Sequence, residues 1–240
     1  MKVNRTEEKT SYLRACALVE KQLYCACVSY FLCLRDMHIS WLGGTAIKIQ
    51  TKPFDTDITI IINPYKPVQG DFPRSLLSDI ALFSARSHNT ITLMGNPFLL
   101  ETPGECEIKG VLVHGIEGKT PEEILFRIDS EHMSVAHLGS GKTPLGNQQI
   151  DALQGVDILI LPVGGVDTYD AETATKIANM LEPRVIIPVA YRCDNDPKAD
   201  PIETFLKEIG IPGEKTEKKV ILKKKDLPQE ETKIFVVSKE

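Results

Sequence analysis

The sequence predicts one α/β (α+β) domain in which mixed β-sheets pack on one another with helices outside. Two kinds of strand and a few helical stretches lead there. Asp57-Ile-Thr-Ile-Ile-Ile62, Asp79-Ile-Ala-Leu-Phe83 and Asp157-Ile-Leu-Ile-Leu161 each open on aspartate and continue apolar throughout, the pattern of strands covered on both faces. Residues 106–108, 111–116, 124–129 and 133–138 instead alternate, as half-exposed antiparallel strands do. Strands of both kinds, with helices interspersed, give stacked sheets under outer helices.

In chain order, residues 39–42 and 46–50 read as a first hairpin about Gly43-Gly44. A fourth apolar run, Arg184-Val-Ile-Ile187, is expected to stop at Pro188, as others stop near Pro64 and Pro162, because proline cannot donate to the sheet ladder. A short helix is expected over 147–153, before Gly155. Asp170 is a plausible N-cap for a helix of about eleven residues, with Ala171, Ala174, Ile177, Ala178 and Leu181 on one face and Pro183 beyond its end. Residues 202–209 make a further helix closed by Gly210. Residues 214–225 alternate lysine with other residues into Val220-Ile-Leu222, and 233–238 give a final strand. Those lysines read as a solvated edge that blocks strand addition. No repeat of solenoid period is present.

With 240 residues, 42% of them hydrophobic, the chain can bury a sizeable core. Residues 1–36 hold six Lys/Arg against four Asp/Glu, leaving 22 against 29 in the remainder. That acidic balance opposes a nucleic-acid surface. Cys16, Cys25, Cys27 and Cys33 crowd the first 36 residues while Cys106 and Cys193 stand alone. This spacing does not suit a secreted disulfide framework, and a reducing, cytoplasmic location is expected.

The apolar-leaning run 23–34 has twelve residues, short of the roughly 20 that span a bilayer. Lys9 and Arg14 before it suggest a signal peptide, but Glu20 and Lys21 interrupt its start and no small-x-small cleavage site follows. Residues 1–36 are therefore expected to be an extension outside a domain of residues 37–240. Cys25-x-Cys27 and Cys33 lack the further ligands that a metal site requires.

The strings His38-Ile-Ser-Trp-Leu-Gly-Gly44, Asn63-Pro-Tyr65, Pro103-Gly-Glu-Cys-Glu-Ile108, His137-Leu-Gly139, Leu161-Pro-Val-Gly-Gly165 with Asp170-Ala171, and Ile187-Pro188 occur in register over residues 38–240. Together they resemble the metallo-β-lactamase superfamily, most closely its L-ascorbate-6-phosphate lactonase-like branch. The resemblance implies a four-layer αββα sandwich of two mixed sheets with helices outside. It also implies a di-metal site at one edge of the sheets.

That chemistry needs imidazoles and carboxylates converging on a divalent ion, which lowers the pKa of bound water to near 7. The resemblance places a His-x-His-x-Asp-His cluster after the strand at 79–83, where this chain has Ser84-Ala-Arg-Ser-His-Asn89. Ala85 and Ser87 stand for the first two histidines. Ser140 stands for the Asp of His-Leu-Gly-Asp, Ala190 for the His of Ile-Pro-x-His-Tyr, and Asn63 where the group usually has Asp. A further family histidine has no counterpart in the loop Glu117-Gly-Lys-Thr-Pro121. No metal and no cofactor is therefore expected.

Ala136-His-Leu-Gly-Ser-Gly-Lys-Thr143 matches a relaxed phosphate-binding loop. Pro144 and Gly146, however, interrupt the helix whose first amides would cradle phosphates. Neither Cys106, within a strand, nor Cys193, in a loop with no neighbouring His, reads as an activated thiol, and Ser84, Ser87 and Ser140 have no evident base–carboxylate pair.

The function expected is a hydrolase homologue without its metal site, non-catalytic, binding a small anionic ligand or a protein partner. Its candidate pocket comprises Arg86, His88, His137, Lys142, Asp167, Tyr191 and Arg192, and these charges can equally be solvated loop residues. The alternatives are an active lactonase or phosphoesterase with unconventional ligands, nucleotide binding through 136–143, or a homo-oligomeric structural protein with an empty pocket. Neither nucleic acid nor membrane is expected as a partner.

Overall fold

The computed structural model describes residues 36–85, 89–120 and 122–240. The expectations for residues 1–35, the clustered cysteines and the signal peptide included, lie outside them. The first hairpin forms as its glycines dictate. β1 (Met37–Gly43) and β2 (Ala46–Thr51) pair antiparallel about Gly43 and Gly44, whose φ angles of +115° and +52° are readily available only to glycine. β3 (Ile58–Ile62) continues antiparallel, then β5 (Ile80–Leu82) and β7 (Phe98–Leu100) add in parallel. With β15 (Val220–Leu222) beside β1, this makes a six-stranded mixed sheet. β4 (Ser75–Leu77) and β6 (Thr92–Met94) form a separate two-stranded ribbon.

The second sheet has eight strands. β8 (Gly104–Ile108), β9 (Val111–Glu117), β10 (Ile124–Ser130) and β11 (Met133–His137) run antiparallel in succession. β12 (Ile158–Pro162), β13 (Val185–Val189), β16 (Lys233–Val237) and β14 (Gly213–Thr216) then continue in parallel. Both sheets are mixed, as the two kinds of strand predicted. The lysine-rich segment supplies an edge to each: β14 ends the eight-stranded sheet and β15 the six-stranded one.

Two expectations are corrected. β11 is buried along its whole length because it sits between antiparallel β10 and parallel β12, so it is not a half-exposed strand. β12 ends at Pro162 as expected, but β13 does not stop at Pro188 and runs to Val189. Pairing of β13 with β16 ends at Ile186, so Pro188 faces no partner there that needs its missing N–H.

The aspartates opening β5 and β12 do the same work in the two sheets. Asp79 Oδ2 accepts from the N–H of Thr59 on β3 at 3.0 Å, and Asp157 Oδ2 accepts from the N–H of Ser134 on β11 at 3.0 Å. Each also meets a lysine, Lys109 at 2.6 Å and Lys224 at 2.8 Å. Burial alone would raise the Asp79 carboxyl, but the hydrogen bonds from Lys109 and Thr59 outweigh it and hold it below the usual range.

The helices are α1 (Asn147–Leu153), α2 (Ala171–Leu181) and α3 (Ile202–Ile209). Asp170 caps α2 by accepting from Thr173 N at 2.8 Å, and Gly210 closes α3 at φ +73°. α1 touches β9, α2 touches β12, and α3 packs on α2. One buried cluster joins Trp41, Ile60 and Leu82 of the first sheet to Phe126, Val135 and Ile160 of the second. Each such side chain contributes about 1.5–3 kcal/mol on burial.

Candidate functional site at the strand ends

The carboxyl ends of β3, β5, β11, β12 and β13 open on one edge of the sandwich, where a cleft of about 390 Å³ lies. Each strand delivers short side chains to its wall: Asn63 after β3, Ser84 and Ala85 after β5, Ser140 after β11, Asp167 and Thr168 after β12, Ala190 after β13. The first hairpin adds Thr45, while Pro64, Tyr65, Pro67, Val68 and Phe83 make an apolar side. Clefts at strand carboxyl ends are where α/β sheets bind ligands, because loops there are free to vary on a rigid frame.

Asn63 organises the floor. Its φ of +50° is one that asparagine tolerates better than most residues. Its Oδ1 accepts from Ser84 N at 2.8 Å, while its Nδ2 donates to Ser84 Oγ at 2.8 Å and to Thr45 Oγ1 at 3.1 Å. Ser140 Oγ lies 3.4 Å from Thr45 Oγ1. Four loops are thus joined by neutral groups that hydrogen-bond one another.

The hydrogen-bonded groups of this floor are not by themselves a divalent-metal donor set. Asn63, Thr45, Ser84 and Ser140 offer only neutral oxygens that already have partners, and alanines 85 and 190 offer nothing. Among the described residues no three His, Cys, Asp or Glu side chains gather as a cation would require. Ala190 nevertheless holds a left-handed φ of +59°, fixed by its N–H donating to Gly44 O at 2.9 Å. Such backbone costs about 1 kcal/mol or more and concentrates at functional sites.

Of the residues predicted for the pocket, Arg86 and His88, with Ser87, lie outside the described residues. Asp167 lines the cleft and pairs with Lys142 at 2.9 Å on the surface. His137 does not reach it. The ring is fully buried, with Nε2 donating to Thr45 O at 2.9 Å and Nδ1 accepting from Gly139 N at 3.1 Å. Burial drives its pKa down to about 4 against the opposing hydrogen bond to Thr45 O, so it is a neutral Nε2–H imidazole.

Tyr191 is buried too, its hydroxyl donating to Val237 O at 2.7 Å and its ring 4.3 Å from Trp41. Arg192 turns to Ala199 O at 3.0 Å. Sequence reading missed Thr45, Tyr65, Thr168, Asn195 and Asp196 as wall residues, because nothing local marks a loop residue that reaches the cleft. The phosphate-loop match lacks its helix: α1 begins only at Asn147, behind Gly146, and Lys142 meets Asp167.

The sequence profile of the β-lactamase superfamily domain matches residues 38–190. The chain is 27% identical over 124 residues to a UPF0173 metal-dependent hydrolase of Nanoarchaeum equitans, covering 52% of this chain and 48% of that one. A second UPF0173 metal-dependent hydrolase, of Staphylothermus marinus, is 30% identical over 76 residues, 32% of this chain and 33% of that one. The matches thus span half or less of these relatives' length. Among solved structures, one from Thermotoga maritima, assigned as a Zn-dependent hydrolase of the metallo-β-lactamase superfamily, superposes with a TM-score of 0.69 at 25% identity, over 84% of this chain and 98% of that one. A metallo hydrolase of Ignicoccus hospitalis shares the fold at a TM-score of 0.56 and 14% identity, over 73% and 91%.

Proposed function

Since the chain belongs to the β-lactamase superfamily, we propose that it is a metal-dependent hydrolase homologue, of the lactonase-like branch, that has lost its metal site and acts as a ligand- or partner-binding scaffold. The observation that carries this is the cleft wall, where Asn63, Ala85, Ser140 and Ala190 meet and none is a strong metal ligand. The hydrogen bonds among Asn63, Ser84, Thr45 and Ser140 keep the cleft ordered without an ion.

Hydroxyls opposite an apolar side that includes Tyr65 and Phe83 suit a small molecule held by a few hydrogen bonds and ring contact. An anionic ligand would draw on Lys66 at the rim. Asp167 and Asp196 oppose it. No helix among the described residues is long and apolar enough to cross a membrane, and a cytoplasmic location is part of the proposal. So is the division into residues 37–240 as domain and 1–36 as extension, for which a chain starting at Met37 should still melt cooperatively.

The test is elemental analysis of protein purified without chelator, together with turnover of lactone and phosphodiester substrates. Far less than one equivalent of zinc, manganese or iron and no turnover are expected. A second reading, an active hydrolase with unconventional ligands, is favoured by the relatives named metal-dependent hydrolases. Chelator-sensitive turnover would establish it in place of the first.

A further inference from the structure

We infer that Lys239 is the latch of this cleft, a positioning residue whose ammonium fixes two of the loops that line it. Its Nζ donates to Asp194 Oδ1 and Oδ2 at 2.6 and 2.7 Å, to Asn195 Oδ1 at 2.7 Å and to Asp71 O at 2.6 Å. An ammonium has three protons, so these oxygens saturate it. Only 13% of the Lys239 side chain is exposed, and little water competes.

The oxygens come from two loops far apart in sequence. One, 66–72, gives Lys66, Pro67 and Val68 to the cleft wall, and the other gives Asn195 and Asp196. They also touch directly, Asp71 N donating to Asp194 Oδ2 at 3.0 Å and Asn195 Nδ2 to Gln69 O at 2.8 Å. Glycine permits the approach: a Cβ on Gly70, at φ +77°, would lie 2.5 Å from Asn195 Nδ2 and 2.8 Å from the Asp194 backbone. The Lys239 hydrogen bond, with that from Asp71 N, holds the Asp194 carboxyl below its ordinary range, so the charge pair persists well below neutral pH.

The latch is itself anchored to the sheets. Tyr191 holds Val237 O, Glu240 N donates to Trp41 O at 2.8 Å, and the Glu240 carboxylate meets Lys48 at 2.5 Å. Lys239 therefore projects from a fixed stem onto two loops without regular structure. Loops so placed open with little free energy unless something ties them.

Hydrogen exchange on the full chain tests this. In Lys239→Met, amides of residues 66–72 and 192–197 should exchange at least about tenfold faster while β12 keeps its protection. Asp194→Asn should loosen the same two loops, and the double variant should add little to either change, since both remove one interaction. Should Lys239→Met loosen β12 as well, Asp194→Asn, on an outer loop, decides by the same criterion. Unchanged loop exchange in Asp194→Asn, or in a Lys239→Met protein with protected β12, would overturn the latch. The measurement concerns loop order alone, so it stands or falls separately from the metal-loss reading, which elemental analysis decides.

Discussion

His137 Nε2 donates to the carbonyl oxygen of Thr45 at 2.9 Å, tying the end of β11 in one sheet to the first hairpin of the other. The imidazole is fully buried and its pKa falls from 6.5 to about 4, so the folded chain refuses a proton that the unfolded chain accepts between those values. The stabilisation is complete above pH 6.5 and is lost as pH falls toward 4, by roughly 3 kcal/mol in all. His137→Gln keeps an amide donor and cannot titrate. Urea unfolding of both proteins at pH 7.5, 6 and 5 should show the wild-type advantage shrinking with acid. A constant difference would refute the neutral buried imidazole.

Most of the fold could be read from local pattern because strand burial and helix capping are local consequences of residue type. α1 and α3 fall where Gly155 and Gly210 end them, and Asp170 caps α2. β4, β6 and β7 were not anticipated. Each has three residues with at most one buried, too few to show a period. That Ala85, Ser140 and Ala190 share one cleft with Asn63 could be expected from the resemblance, but the contacts around it could not. His137 meets Thr45 across 92 positions and Lys239 meets Asp71 across 168, relationships that only tertiary packing creates.

Asp157 should be the costliest surface-to-core charge to remove. Its side chain is 8% exposed, with Lys224 at 2.8 Å and Arg184 at 3.6 Å, and it also bonds Ser134 N and Oγ at 3.0 and 3.3 Å. Asp157→Ala leaves those donors and two cations without their acceptor, for an expected loss of about 3 kcal/mol. Chemical denaturation measures it, and a loss under about 1 kcal/mol would show that solvent replaces the carboxylate.

Gly164→Ala is expected to deform the cleft wall. A Cβ there would collide with the carbonyl oxygen of Ala190 and lie 3.1 Å from its carbonyl carbon, backbone atoms that cannot rotate aside. Overpacking of this kind costs about 1–3 kcal/mol. Thermal melting should fall accordingly, and exchange of amides around 190 should rise more than that of β9. Wild-type stability would show that the loop after β12 moves freely.

Introducing the ligands that the resemblance puts at three cleft positions tests whether the cleft descends from a metal site. Ala85, Ser140 and Ala190 line one cavity, and the resemblance puts His, Asp and His there. The left-handed backbone at 190 is one that histidine tolerates better than most residues. Three converging ligands are the usual minimum for zinc, so Ala85→His with Ser140→Asp and Ala190→His should bind zinc where the wild type does not. A micromolar site would stabilise the triple variant by about 2.7 kcal/mol at hundredfold excess metal, a shift that chelator abolishes. The wild type should show no shift with zinc or with chelator. Metal-dependent melting of the wild type would mean that other residues had rebuilt a site, while a triple variant that folds but ignores zinc would mean that these positions never converged on an ion.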